Sequence, residues 1–267
     1  MPPRDSETPE DLALLRRMLE IDYALERRCA ELIVPVESGR VIINPGAPLL
    51  WDGSYLAVES AGHTAAELAR SAAQVLGDHG FRRPTVAPID PVEARRLEPE
   101  FMALGWDVDR GVYMVLARPP DRPAAHEVEE VTAEQTLELR RSVLKEAFAP
   151  DYEGDPDEVA DQLLALDVSF AEAAHARWFV ARADGEIAAC ASLLSWGDAG
   201  QVETVLTAPG ARDRGLARAV VLAVVEESRR GGHELTYIGA EADDWPWKLY
   251  QRLGFDPVGI ERSFTRR

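Results

Sequence analysis

The residues best placed to do chemistry are Arg212-Asp213-Arg214-Gly215-Leu216-Ala217. Gln201-Val202-Glu203-Thr204-Val205-Leu206-Thr207 precedes them as a strand-like run closed by Pro209-Gly210, and the apolar Ala219–Val225 follows as a helix. A strand, a short glycine loop and a helix direct unpaired backbone N–H groups and the positive end of a helix dipole at one point, which suits an anion. Gly215 lets the backbone approach a phosphate closely, and Arg212 and Arg214 add charge-assisted donors. The expected ligand bears phosphate. The same string also serves as an ordinary tight turn, so the surrounding elements have to decide.

Those elements read as an α/β domain. A strand over 126–131 leads into a helix that Thr132 can cap and that runs through Phe148. Asp155-Pro156-Asp157-Glu158 opens a second helix with acidic first-turn residues and an early proline. Trp178–Arg182 and Ile187–Leu194 flank Asp184-Gly185, a strong hairpin signal. After the 201–207 strand, the loop and the long helix come a strand Leu235–Gly239, a short helix Trp245–Arg252 and a last strand near Pro257–Ser263. The predicted fold is a mixed, mostly antiparallel twisted sheet flanked by helices, α/β (α+β) in class.

In order and spacing the Arg212-x-x-Gly215-x-Ala217 loop and Leu249-Tyr250-Gln251-Arg252-Leu253-Gly254-Phe255 resemble two motifs of the GNAT superfamily of N-acetyltransferases. They are similar to its Q/R-x-x-G-x-G/A pyrophosphate signature and its L-Y-x-x-L-G-F ending, and the likeness runs from about Glu127 to the C-terminus. The resemblance implies acetyl-CoA as cosubstrate. Its pyrophosphate would lie over Arg212, Asp213, Arg214, Gly215, Leu216 and Ala217, with Arg218 nearby. Val205, Leu206 and Thr207 would pair through their backbone with the pantetheine arm and polarise the acetyl carbonyl.

The resemblance also implies that Tyr250 is the acid for the leaving thiolate; its bland role is an aromatic core residue. Glu203 is the candidate base, on a strand whose alternation puts Glu203, Val205 and Thr207 on one face. A partly desolvated carboxylate can accept a proton directly or through water, although a surface carboxylate has the same sequence. Asp243 stands where the family often has an asparagine, and Asp243 or Asp244 also suits a helix cap.

The proline-rich Arg118–Ala125 suits neither a helix nor a central strand and divides the chain into residues 1–120 and 121–267. The first part echoes the second. Ser54–Glu59 resembles the strand before the loop, Thr64–Leu76 the helix after it, and Val112–Ala117 a closing strand. Placing Leu104-Gly105-Trp106 on Leu253-Gly254-Phe255 sets Phe101 opposite Tyr250, and Ser60-Ala61-Gly62-His63-Thr64 replaces the arginine loop. This pattern is that of a tandem repeat whose first copy is degenerate, with a chance likeness of α/β patterns as the alternative.

The 47 acidic against 29 basic residues, net −18, argue against a nucleic-acid partner and tolerate a cationic substrate. Cys29 and Cys190 lack metal or redox spacing, and the five histidines lack ligand spacing, so no metal is expected. Met1–Glu7 is polar and no apolar run approaches the ~20 residues of a membrane span, so the chain is expected to be cytoplasmic with no membrane partner. The function expected is acetyl transfer to a primary amine, on a small molecule or a peptide, by direct attack in a ternary complex. A non-catalytic acyl-CoA-binding sensor or scaffold is the alternative. Monomer and homodimer both stay open.

Overall fold

A computed structural model describes residues 4–6 and 8–266. Part of the polar N-terminal run, Met1–Pro3 and Glu7, lies outside the described residues. The chain forms two compact units. The first comprises Met1–Tyr113 with Val258–Arg267, and the second Met114–Pro257.

In the second unit β6 (Glu129–Val131), β7 (Arg177–Ala183), β8 (Glu186–Trp196), β9 (Ala199–Thr207) and β10 (Leu235–Glu241) lie side by side in the order β10-β9-β8-β7-β6. All neighbours are antiparallel except β9 and β10. The Asp184-Gly185 hairpin forms as the sequence suggests, both residues having positive φ as a two-residue turn requires. The helix α4 (Ala133–Ala147) starts at the Thr132 capping box and α5 (Pro156–Ala173) at the Asp155 cap. Leu139 and Val143 of α4 and Ala171 of α5 pack on Trp178, Val180, Cys190 and Leu206. On the chain past β9 lie α6 (Leu216–Arg230) and α7 (Pro246–Arg252).

The first unit repeats this order. A long helix α1 (Pro9–Cys29) precedes β1 (Leu32–Val36), β2 (Gly39–Ile43), β3 (Tyr55–Val58), α2 (Ala65–Asp78), β4 (Thr85–Pro88), α3 (Pro91–Ala103) and β5 (Asp107–Leu116). The β1–β2 hairpin answers β7–β8, and the parallel pair β3–β4 answers β9–β10. Pro35 is tolerated because β1 lies at a sheet edge. The chain's last strand, β11 (Phe255–Thr265), runs from the second unit into the first and lies between β4 and β5, with Phe264 opposite Val86 and Thr265 opposite Thr85. There Arg262 is buried and paired with Asp5 and Glu98. The sequence signalled neither α1 nor the β1–β2 hairpin as clearly as the elements of the second half.

Candidate active site

The loop before α6 turns through two left-handed residues into an N-terminus without a side-chain cap. Asp213 and Gly215 both have left-handed φ values, +60° and +85°, and Gly215 is the residue at which α6 begins. Glycine has no side chain to cap a helix, so the first-turn N–H groups of Leu216, Ala217 and Arg218 face outward as donors. Arg212, Asp213, Arg214 and Gly215 are exposed, Ala217 is half-buried, and Leu216 anchors the turn in the core. Among the described residues Arg214 makes a long ion pair with Asp184, 3.3 Å, between two exposed groups that solvent screens. Arg218 points elsewhere: its side chain is buried, 2.7 Å from Asp121, and donates to the Arg122 carbonyl at 3.0 Å. Any contribution it makes to an anion is through its backbone. His126, not marked out by the sequence, holds the loop with Nε2 donating to the Arg214 carbonyl at 2.7 Å.

The strand leading into this loop is bulged and splayed. On β10 it pairs only from Ala199 to Val202, opposite Leu235 to Ile238. Beyond that point the pairing stops although both strands continue, so residues 203–207 of β9 leave an opening beside β10. On the other side the register with β8 runs evenly to Glu203 opposite Ser192, then resumes with Leu206 opposite Cys190. Thr204 and Val205 therefore face a single residue, Ala191, which is a β-bulge. Thr204 sits at φ +50°, a conformation β-branched residues avoid.

The bulge corrects one expectation from the sequence. Strict alternation would separate Glu203 from Leu206, but the extra residue puts both on the face covered by α4 and α5. There Glu203 accepts from Gln201 Nε2 at 2.8 Å and from the Thr204 N–H at 3.1 Å, while Tyr237 donates to Gln201 at 3.0 Å. The Ser192 hydroxyl across the strand is fully buried and has no hydrogen-bond partner among the described residues. Val205 and Thr207 are half-buried. Cys190 is inert as a nucleophile, because burial pushes its thiol up to about 12.

Tyr250 lies on α7 with its side chain buried. Burial first, then the charge of the Glu203 carboxylate, push its phenol above the ordinary tyrosine range. The structure thus brings Tyr250 within electrostatic reach of Glu203. Asp244 does not cap α7; it accepts from the Trp245 N–H at 2.7 Å, and Trp245 holds the cap position.

Residues 139–255 match the Acetyltransferase (GNAT) family. The match lies wholly in the C-terminal half of the chain. No curated protein is detectably similar in sequence. Among solved structures the chain is similar to a GCN5-related N-acetyltransferase from Kribbella flavida, at 17% identity and TM-score 0.64, covering 94% of this chain and 95% of that one. It is also similar to a tandem GNAT protein from the clavulanic acid biosynthesis pathway, at 15% identity and TM-score 0.56, covering 99% and 97%. A functionally unknown conserved protein from Staphylococcus epidermidis shares 12% identity at TM-score 0.64, covering 88% and 93%. These likenesses extend over both halves, so the chain has a tandem GNAT fold, and acetyl-CoA is the usual acyl donor of the family.

The corresponding place in the first GNAT-like unit is closed by the protein's own carboxylates. Thr64 caps α2 in a reciprocal box with Glu67. Glu100 accepts from the Ala65 N–H at 2.9 Å, and Glu93 from the Gly62 N–H at 3.0 Å. Arg96 binds both Glu93 and Glu100 and also the His63 carbonyl. The Arg96 hydrogen bond holds the Glu93 carboxyl below its usual range, and the Thr64 backbone N–H does so for Glu67. Phe101, in the place of Tyr250, is fully buried and stacks on Phe264 at 4.3 Å.

Proposed function

We propose that the second unit is an acetyl-CoA-dependent N-acetyltransferase that acetylates a primary amine by direct attack in a ternary complex. The single observation that carries the reading is the convergence of an uncapped α6 N-terminus with a bulged, splayed β9. The donor set fits a diphosphate: outward N–H groups at Leu216 and Ala217, with Arg212 and Arg214 exposed beside them. Acetyl-CoA supplies an activated thioester. The opened backbone of Val205, Leu206 and Thr207 aligns the acyl arm and offers N–H groups to the carbonyl oxygen. Glu203 takes the amine proton, directly or through water, and a carboxylate there favours a cationic acceptor. Tyr250, held neutral by burial and by Glu203, donates to the departing thiolate.

The amine belongs to a small molecule or a peptide, and the net charge of −18 gives no basis for a nucleic-acid partner. Among the described residues no helix is long and apolar enough to cross a membrane. A cytoplasmic location is part of the proposal. The test is coenzyme A release over a panel of amines. Turnover that collapses in Tyr250→Phe supports the enzyme. Tight acetyl-CoA binding with no turnover on any amine makes the chain an acyl-CoA sensor instead.

A further inference from the structure

We propose that Arg140 and Asp167 are positioning residues for acyl transfer, holding Thr204 in the left-handed conformation that creates the β9 bulge; this rests on the acetyltransferase reading above. Thr204 Oγ1 donates to Asp167 Oδ1 at 3.0 Å. The other carboxylate oxygen, Oδ2, accepts from Arg140 Nε at 2.9 Å and Nη2 at 2.6 Å. Arg140 is itself fixed: its side chain is fully buried, its guanidinium lies 4.1 Å over the Trp178 ring, and Nη1 reaches Thr136 Oγ1 at 3.4 Å. Three elements, α4, α5 and β9, thus meet at one hydroxyl.

Stability alone does not account for this arrangement. Arg140 is fully buried while Asp167 keeps 22% of its side chain exposed, and burying the guanidinium costs desolvation that the attraction barely offsets. What the pair does provide is a fixed acceptor for a threonine in a conformation it otherwise avoids. Released to extended φ, Thr204 would restore simple alternation and move either Glu203 or Leu206 to the opposite face of the sheet. The bulge therefore decides both where the candidate base points and which peptide groups of residues 205–207 face the opening beside β10. A misplacement of that kind affects the chemical step more than the phosphate contacts proposed for the α6 loop.

The experiment uses the full chain and steady-state kinetics with acetyl-CoA and the amine the wild type acetylates best. Thr204→Val, which keeps the β-branch and loses the hydroxyl, is expected to lower kcat about tenfold or more and to raise the KM for acetyl-CoA by a smaller factor. Thr204→Ser keeps the donor and is expected to retain kcat within about threefold. Glycine adopts the left-handed conformation unaided. Asp167→Asn should therefore lower kcat in the threonine chain and have little further effect in the Thr204→Gly chain. Thermal melting of each variant reports folding separately, and the threonine variants read the same effect should Asp167→Asn not fold. A kcat for Thr204→Val equal to that of the wild type overturns the positioning role while leaving the acetyltransferase reading intact. A wild type without turnover on any amine overturns that reading, and this role with it.

Discussion

The helices α2 and α6 begin in equivalent places, each after a strand whose partner is parallel, yet their N-termini are satisfied in opposite ways. At α2 a capping box and two further glutamates supply the negative charge from within the chain, with Arg96 clamping the glutamates in place. At α6 a glycine leaves the donors outward, with exposed arginines beside them. Both helices obey the same rule, that a helix N-terminus needs an acceptor. At α2 the acceptor is covalently part of the protein, and at α6 the proposed acceptor is the diphosphate of acetyl-CoA. Under the proposed function, a duplicated scaffold keeps its fold while carboxylates reach the donors that the second unit leaves for its ligand.

The largest expected effect comes from exchanging the matched aromatics. Tyr250→Phe should lower kcat about 100-fold with little change in KM, as loss of an acid does. Phe101→Tyr should leave kcat unchanged and cost about 1–3 kcal/mol of stability, since a hydroxyl would be buried between Trp106 and Phe264. An unaltered kcat in Tyr250→Phe would remove the chemical half of the contrast.

Next comes a pH effect confined to the first unit. Burial pushes the Glu26 carboxyl up to about 8 from 4.5; Tyr55 opposes this by donating to it, and the charges of Asp22 and Glu261 add to the rise. The folded state keeps this proton over a range where the unfolded chain has lost it. Its contribution is therefore full below pH 4.5 and is lost as pH rises toward about 8. Denaturant unfolding at pH 5 and pH 9 should show Glu26→Gln removing on the order of 1–3 kcal/mol of that difference. An identical slope in the variant would contradict the assignment.

Two smaller effects bear on the helix starts themselves. Gly215→Val forces a β-branched residue to φ +85° and should weaken acetyl-CoA binding about tenfold by calorimetry. Thr64→Ala should cost about 1 kcal/mol in stability and leave the affinity, and a stoichiometry of one per chain, unchanged. A second binding event in the wild type would break the comparison outright.

Much of this was legible in the sequence because it is local. Thr132, Asp155 and Asp184-Gly185 announce caps and a turn, and Gly215 announces the loop, each within a few residues. Phe101 and Tyr250 were matched through the Leu-Gly-aromatic ending that follows each. Thr204 gave no warning, since threonine is an ordinary strand residue and its left-handed φ depends on Asp167 and Arg140, which are distant in the chain. The carboxylates that close α2 were hidden for the same reason, with Glu93 and Glu100 brought to it from α3. Arg218 shows the converse. Its position suggested a phosphate contact, whereas its side chain went to Asp121 in the proline-rich connection.

The strand β11 carries a consequence for synthesis. The first unit takes its strand between β4 and β5 from residues 258–265, so Val86 finds its partner Phe264 only after the second unit has been translated. A nascent first half emerges from the ribosome one strand short, with an edge that offers unpaired N–H and C=O groups to any passing segment. Completion of the earlier unit thus waits on the later one, and loss of residues 258–265 would damage the half made first.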